Sequence, residues 1–312
     1  MPRIRSRRHA ESGQAEVVVS GELSAPVSSQ VELCYQTFGN PEDEPLLLVM
    51  GLGGPMTWWD PALCTDLARS GFYVIRYDNR DTGKSSRGVG AVTRPMLVRA
   101  FLGRKVKAPY SIADLANDAF GLLDHLGIGS AHVAGVSMGG MIAQSMAIAH
   151  PDRVRSLVSI MSTTGRRTVG WQDPRLFPIL LAPRGTDKVS YVAGARKVGT
   201  IIGSPGYPES EESARTRAEE TFDRGISAAG TLRQMLAVLT QPDRAKALHA
   251  LKMPAAVIHG MEDRMVHPSG GRATAQAIPG ANLLLIPGMG HDLPVALHET
   301  FVDVIRRTAD KA

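Results

Sequence analysis

Residues 46–50, Leu-Leu-Leu-Val-Met, form an unbroken apolar run that stops at Gly51-Leu52-Gly53-Gly54. A strand with no polar face must be covered on both sides, as in a parallel sheet flanked by helices. Further short β-rich runs at 72–77, 131–136, 154–161, 255–259 and 283–286 recur along the chain, with helical patterns between many of them. Ile112, Leu115, Ala119, Leu122, Leu123 and Leu126 repeat at helical spacing behind Ser111, a suitable N-cap, and Gly127 and Gly129 stop that helix. Residues 138–149, 270–277 and 294–307 read as further helices, and 17–19 with 31–38 as an opening antiparallel hairpin. Strand and helix in alternation predict an α/β fold with a doubly wound, mostly parallel sheet.

The alternation breaks between residues 162 and 241, which carry Trp171, several prolines and a charged helical segment at 210–223. The division predicted is therefore a core of 1–161 and 246–312, with a helical cap at 162–245 inserted after the sixth strand.

Charge and composition narrow the function. The net charge is +5, but four of the arginines (Arg3, Arg5, Arg7, Arg8) sit in the first eight positions. No basic stripe with interleaved aromatics stands out, so a nucleic-acid partner is not expected. Cys34 and Cys64 are too few for a disulfide framework or a zinc cluster, and both read as small core hydrophobes. No apolar run reaches the length of a membrane span and no secretory pattern opens the chain, so a soluble cytoplasmic protein is expected. Nothing in the sequence encodes an oligomeric state.

The strongest chemical signal is Gly135-Val136-Ser137-Met138-Gly139-Gly140 between a predicted strand and a predicted helix. That is the context of a nucleophile elbow, a sharp turn that lifts a serine hydroxyl clear of the sheet and needs small neighbours. A serine hydroxyl needs a base. Of the nine histidines, His291 lies in a glycine loop just past the last strand, where it can reach the carboxyl end of the sheet, and His267 and His298 are weaker rivals. The base needs an acid to hold its tautomer. Asp263 ends the 255–259 strand region, with Glu262 beside it as a rival and Asp292 badly placed to bond its own neighbour. Donors for an oxyanion are expected from the backbone N–H groups of Met138 and of Leu52, in the glycine-rich loop. Trp58, Trp59, Trp171, Phe177 and Met235 are candidate walls of a substrate pocket, with core packing as the competing role. Asp78 and Arg80 read as an internal ion pair bracing loops, or as an anion site.

In order along nearly the whole chain, Met50-Gly51-Leu52, the 77–85 stretch Tyr-Asp-Asn-Arg-Asp-Thr-Gly-Lys-Ser, the elbow, the Asp263 loop and residues 286–294 resemble α/β-hydrolase fold proteins. The chain looks most like the aclacinomycin methylesterase-like branch, whose members hydrolyse a methyl ester on a polyketide. The wider superfamily commonly has His where Met50 stands; this branch shares Met. The resemblance implies Ser137, Asp263 and His291 as a triad, and Leu52 and Met138 as oxyanion donors. The activity expected is a cofactor-free serine esterase acting on a small to medium ester, without metal, nucleotide or flavin. A C–C bond hydrolase or a cofactor-free perhydrolase would use the same three residues. A ligand receptor on a hydrolase scaffold is the alternative from another class.

Overall fold

The computed structural model describes residues 16–176, 185 and 187–312. Eight strands form one sheet in the order β1-β2-β4-β3-β5-β6-β7-β8. They are β1 (Leu23–Pro26), β2 (Glu32–Phe38), β3 (Glu44–Val49), β4 (Phe72–Tyr77), β5 (Ala131–Val136), β6 (Val154–Ile160), β7 (Ala255–Gly260) and β8 (Asn282–Ile286). β2 runs antiparallel to β1 and β4, and every later pairing is parallel. The doubly wound, mostly parallel fold expected from the sequence is the one observed.

The opening hairpin differs from its expectation. Its first strand is β1 rather than residues 17–19, because Val27 and Ser28 donate back to the Val31 carbonyl and close a short turn directly onto β2. Val19 makes only an isolated bridge to Phe38.

The sheet divides its side chains by strand alternation. Leu47, Val49, Ile75, Tyr77 and Val133 point to one face, where helices α3 (Ile112–His125) and α4 (Met138–Ala149) cover them. Leu46, Leu48, Phe72, Val74 and Ala134 point to the other, against α1 (Pro61–Arg69) and the C-terminal helix α10 (His298–Ala309). Burying each such leucine stabilises the fold by about 1.5–3 kcal/mol. This two-sided cover is the reason the 46–50 run carries no polar residue. α3 begins with a reciprocal capping box: Ser111 accepts from the Asp114 amide, and Asp114 accepts from the Ser111 amide.

Between β6 and β7 lie α5 (Lys188–Ile202), α6 (Glu211–Gly225), α7 (Ala228–Thr240) and the short α8 (Ala245–Leu248). α9 (Ser269–Ala277) follows β7, and α2 (Arg94–Phe101) packs against α7 through Leu97, Ala100 and Leu236. Ion pairs seat the inserted helices on the loop after β4. Arg224 of α6 meets Asp78 at 2.8 Å, and Arg233 of α7 meets Asp81 at 2.6 Å. Asp78 and Arg80 are not paired with each other as expected: Arg80 bonds Asp118 on α3, while Asp78 also accepts from the amides of Met56 and Lys84. Asp78 is thus consumed inside the fold and offers no anion site. Among the described residues, no helix is long and apolar enough to cross a membrane.

His132 on β5 is buried, with Nδ1 2.8 Å from Ser156 Oγ. Burial, aided by the nearby Arg155 charge, pushes its pKa down from 6.5 to about 4. The unfolded chain then takes up this proton at a higher pH than the folded one. Stability falls as the pH drops through the interval from 6.5 towards about 4. A series of melting temperatures across that interval is expected to decline less steeply for His132→Asn than for the wild type.

Candidate active site

β5 ends at Val136 and α4 begins at Met138, so Ser137 alone makes the turn. Its backbone sits at φ 56° and ψ −118°, in the left-handed half of the map that a side chain rarely adopts. Contacts on both sides hold it there. Its N–H donates to the Ile160 carbonyl at 2.8 Å, and its carbonyl accepts from Ser162 Oγ at 2.8 Å. The flanking glycines are required by close approach. A Cβ on Gly135 would stand 2.2 Å from the Gly139 carbonyl oxygen, and one on Gly139 would stand 2.0 Å from the Val49 carbonyl oxygen. The two elements can meet at this angle only without side chains there.

His291 lies in the loop after β8. Its Nδ1 is 2.7 Å from Asp263 Oδ2, and its Nε2 is 3.0 Å from Ser137 Oγ. An ionised carboxylate only accepts, so Nδ1 carries the hydrogen and Nε2 is left as the acceptor for the serine hydroxyl. Asp263 is buried after β7, and its other oxygen accepts from the amides of Met265 (2.9 Å) and Val266 (2.8 Å). Burial pushes its carboxyl pKa up, but the His291 charge and hydrogen bonds from His259 and His291 outweigh burial and hold it below the usual range. His259, which sequence reasoning missed, lies with Nε2 2.7 Å from the Val266 carbonyl and 3.3 Å from Asp263 Oδ2. It approaches the same carboxylate oxygen that His291 contacts.

The rivals lie elsewhere. Glu262 is exposed, and Asp292 is taken by Ser204. His267 stacks on Trp171, and His298 starts α10. Cys34 and Cys64 are buried and free, and burial pushes their thiols up to about 11 and about 12, far from a nucleophilic thiolate at neutral pH.

The glycine loop after β3 lies against the serine: a Cβ on Gly51 would stand 3.2 Å from Ser137 Cβ. Leu52 follows it, and Met138 is the first residue of α4, where helix N–H groups have no partner within the helix. The inserted helices grip both loops that face Ser137. Gly53 N donates to Gln234 Oε1 of α7 at 2.7 Å, and Gln234 Nε2 donates to the Arg80 carbonyl (2.8 Å) and Thr82 Oγ1 (2.9 Å). On the histidine side, His291 N donates to the Ile202 carbonyl at 2.6 Å, Gly290 N to Ser204 Oγ at 2.8 Å, and Gly206 N to the Gly288 carbonyl at 2.8 Å.

The expected pocket walls fare differently. Trp59 is wholly buried in the core under α1, because the chain turns inward before Pro61. Trp171 is half-exposed and lies flat on the His267 ring 4.1 Å away. Met235 packs with Leu97 and Ala100 under α2. Phe177 lies outside the described residues. Trp58 does face the inserted helices, with Nε1 donating to Thr221 Oγ1 at 2.9 Å. A cavity of about 260 Å³ beside the glycine loop is lined instead by Gly53, Thr82, Tyr191, Thr221, Ser227 and Thr231, among others. Small polar residues on separate helices give no motif, which is why the sequence hid it. Neither this 260 Å³ cavity nor a larger open depression of about 580 Å³, between Thr164, Lys246 and Gln276, is lined by Ser137, Asp263 or His291.

A strand, a tight serine turn and a histidine loop in this order on a doubly wound sheet define a class. The chain belongs to the alpha/beta hydrolase fold family, whose pattern matches residues 44–295. It is 30% identical over 300 residues to a rhodomycin D methylesterase from a Streptomyces species (strain C5), covering 88% of this chain and 94% of that one. A putative carbamate hydrolase from a Caulobacter species is 28% identical, covering 86% and 92%. Among solved structures, the enol-lactonase from Burkholderia xenovorans matches with a TM-score of 0.72 at 25% identity, over 92% of this chain and all of that one. The methylesterase match agrees with the branch that the sequence resembles.

Gly139→Ala is expected to destabilise the protein by about 2 kcal/mol or more, since the Val49 backbone cannot yield to the new methyl. Chemical denaturation beside the wild type measures this, and an unchanged midpoint would contradict the close approach.

Proposed function

We propose that the chain is a serine esterase whose nucleophile is Ser137, with His291 as general base and Asp263 as the acid that orients it. The observation that carries this reading is the continuous hydrogen-bonded path from Ser137 Oγ through the imidazole to Asp263, at 3.0 and 2.7 Å. Ser137 Oγ attacks the ester carbonyl while its proton passes to His291 Nε2. The imidazolium is balanced by the buried Asp263 carboxylate, which two backbone amides and His259 hold in place. The oxyanion is received by the N–H groups of Leu52 and Met138. His291 then protonates the leaving alcohol. Water, activated by the same nitrogen, attacks the acyl-enzyme and releases the acid. No step in this sequence requires a cofactor.

The methylesterase relative at 30% identity favours a carboxylic ester over an amide or a carbon–carbon bond. A methyl ester on a bulky acid fits this reading. The alcohol half is then small, and the acid half needs the space, which the 260 Å³ cavity beside Gly53 supplies in part. Residues 162–245 act as the cap over that space in this proposal, with the polar walls Thr221, Ser227 and Thr231 meeting the acid half.

Hydrolysis of p-nitrophenyl acetate, butyrate and octanoate tests the assignment. Ser137→Ala is expected to lose at least about 10³-fold in kcat/KM while keeping its melting temperature. Residual turnover near the wild-type level would place the chemistry elsewhere. A second expectation concerns the buried Gln234. Gln234→Leu leaves Gly53 N–H unheld and should lower kcat by about tenfold or more, with KM nearly unchanged, because the loop donor matters most once the oxyanion forms. A rise in KM alone would assign Gln234 to substrate binding instead.

A further inference from the structure

The whole-chain charge conceals a local concentration. From residue 82 to residue 113 the chain holds no Asp or Glu, yet carries Lys84, Arg87, Arg94, Arg99, Arg104, Lys105 and Lys107. Lys84 is paired with Glu22, and Arg87 donates to the Gly83 carbonyl. The other five are exposed, and none has an acidic partner among the described residues. The same stretch presents apolar surface. Val89 is 83% exposed, Val98 51%, Phe101 47% and Leu102 64%. On α2 and its C-cap, Arg94, Val98, Phe101 and Leu102 fall at i, i+4, i+7 and i+8, which is one face of the helix. Leu97 and Ala100, on the adjoining face, are buried against α7. Arg167 ties the end of α2 down by donating to the carbonyls of Ala100 and Phe101, which adds a cation to the rim. The outward face of α2 is therefore built, not frayed: exposed apolar side chains with cations on their flanks and beyond the helix C-terminus that have no acidic partner among the described residues.

We propose that this face docks on an anionic lipid surface, with Val98 and Leu102 entering the headgroup boundary and Arg94, Arg99, Arg104, Lys105 and Lys107 meeting the lipid phosphates. Charge alone would suit any polyanion. The exposed apolar residues select the bilayer, because only there do side chains of this kind gain by leaving water while the neighbouring cations stay at the phosphate level. The helix lies on the surface; it does not span. It packs directly on α7, so the membrane contact would sit on the outer side of the helix whose Gln234 holds the Gly53 loop.

Cosedimentation of the protein with vesicles is the test. Partitioning onto phosphatidylcholine vesicles containing about 30 mol% phosphatidylglycerol is expected to exceed that onto pure phosphatidylcholine by about tenfold or more. It should fall away in about 0.5 M NaCl, where surface charge is screened. The variant Arg99→Glu/Arg104→Glu/Lys105→Glu should abolish the preference for anionic vesicles. Val98→Asp/Leu102→Asp should weaken binding by about tenfold or more without moving the melting temperature, since both side chains are exposed. Equal binding to both vesicle types would overturn the proposal. So would anionic binding that survives the Val98→Asp/Leu102→Asp change and is displaced by heparin, which would mark a general polyanion site.

Discussion

The structure hinges on a steric fact at one turn. Ser137 holds an unfavourable backbone conformation so that β5 can pass directly into α4. That conformation persists because the backbones of β3, β5 and α4 approach within the radius of a missing methyl group at Gly135 and Gly139. Such strain costs on the order of 1–3 kcal/mol and survives only where its surroundings leave no alternative. Here the surroundings are the middle of the sheet, with β3, β5 and β6 buried on both faces. The two-sided core and the strained serine turn are one arrangement: the first supplies the rigidity that the second requires.

The loops that complete the site are held differently. Apolar packing anchors the base of each loop, through Met50 before Gly51 and Met289 before His291, both buried in the core. Beyond those anchors each loop is tied by directional hydrogen bonds to the segment between β6 and β7, through Gln234 of α7 on one side and through Ile202, Ser204 and Gly206 on the other. That segment is in turn held to the core by Arg224 with Asp78 and Arg233 with Asp81, pairs withdrawn from water. A buried pair of this kind adds little net stability but fixes orientation firmly, because leaving either partner alone is costly.

The core was readable in the sequence because its signals are local and steric. The 131–136 strand, the 138–149 helix, the Ser111 cap and the serine turn each declare themselves within a dozen residues. The serine, histidine and aspartate could be paired on paper because each sits at a strand end, where the fold gathers them. The inserted segment was opaque for the opposite reason. Trp59, Trp171 and Met235 carried the apolar size that suggests a pocket, yet burial, ring stacking and contact with α2 claimed them. The cavity beside the glycine loop is lined by Thr221, Ser227 and Thr231 among others, residues whose meaning depends on which helices meet. The opening hairpin failed on turn chemistry: closure through Val27 and Val31 favoured Leu23–Pro26 over the more apolar 17–19.

Gln234 gives this arrangement a modular consequence. Exchanging the segment between β6 and β7 for that of a relative would remove Gln234 and Ser204 along with the residues that line the cavity beside Gly53. The graft would inherit a new cavity and, unless matching polar groups came with it, two untethered loops. Even the cavity's own residues share in this coupling: Ser227 caps α7, the helix that carries Gln234, and Thr221 accepts from Trp58 Nε1.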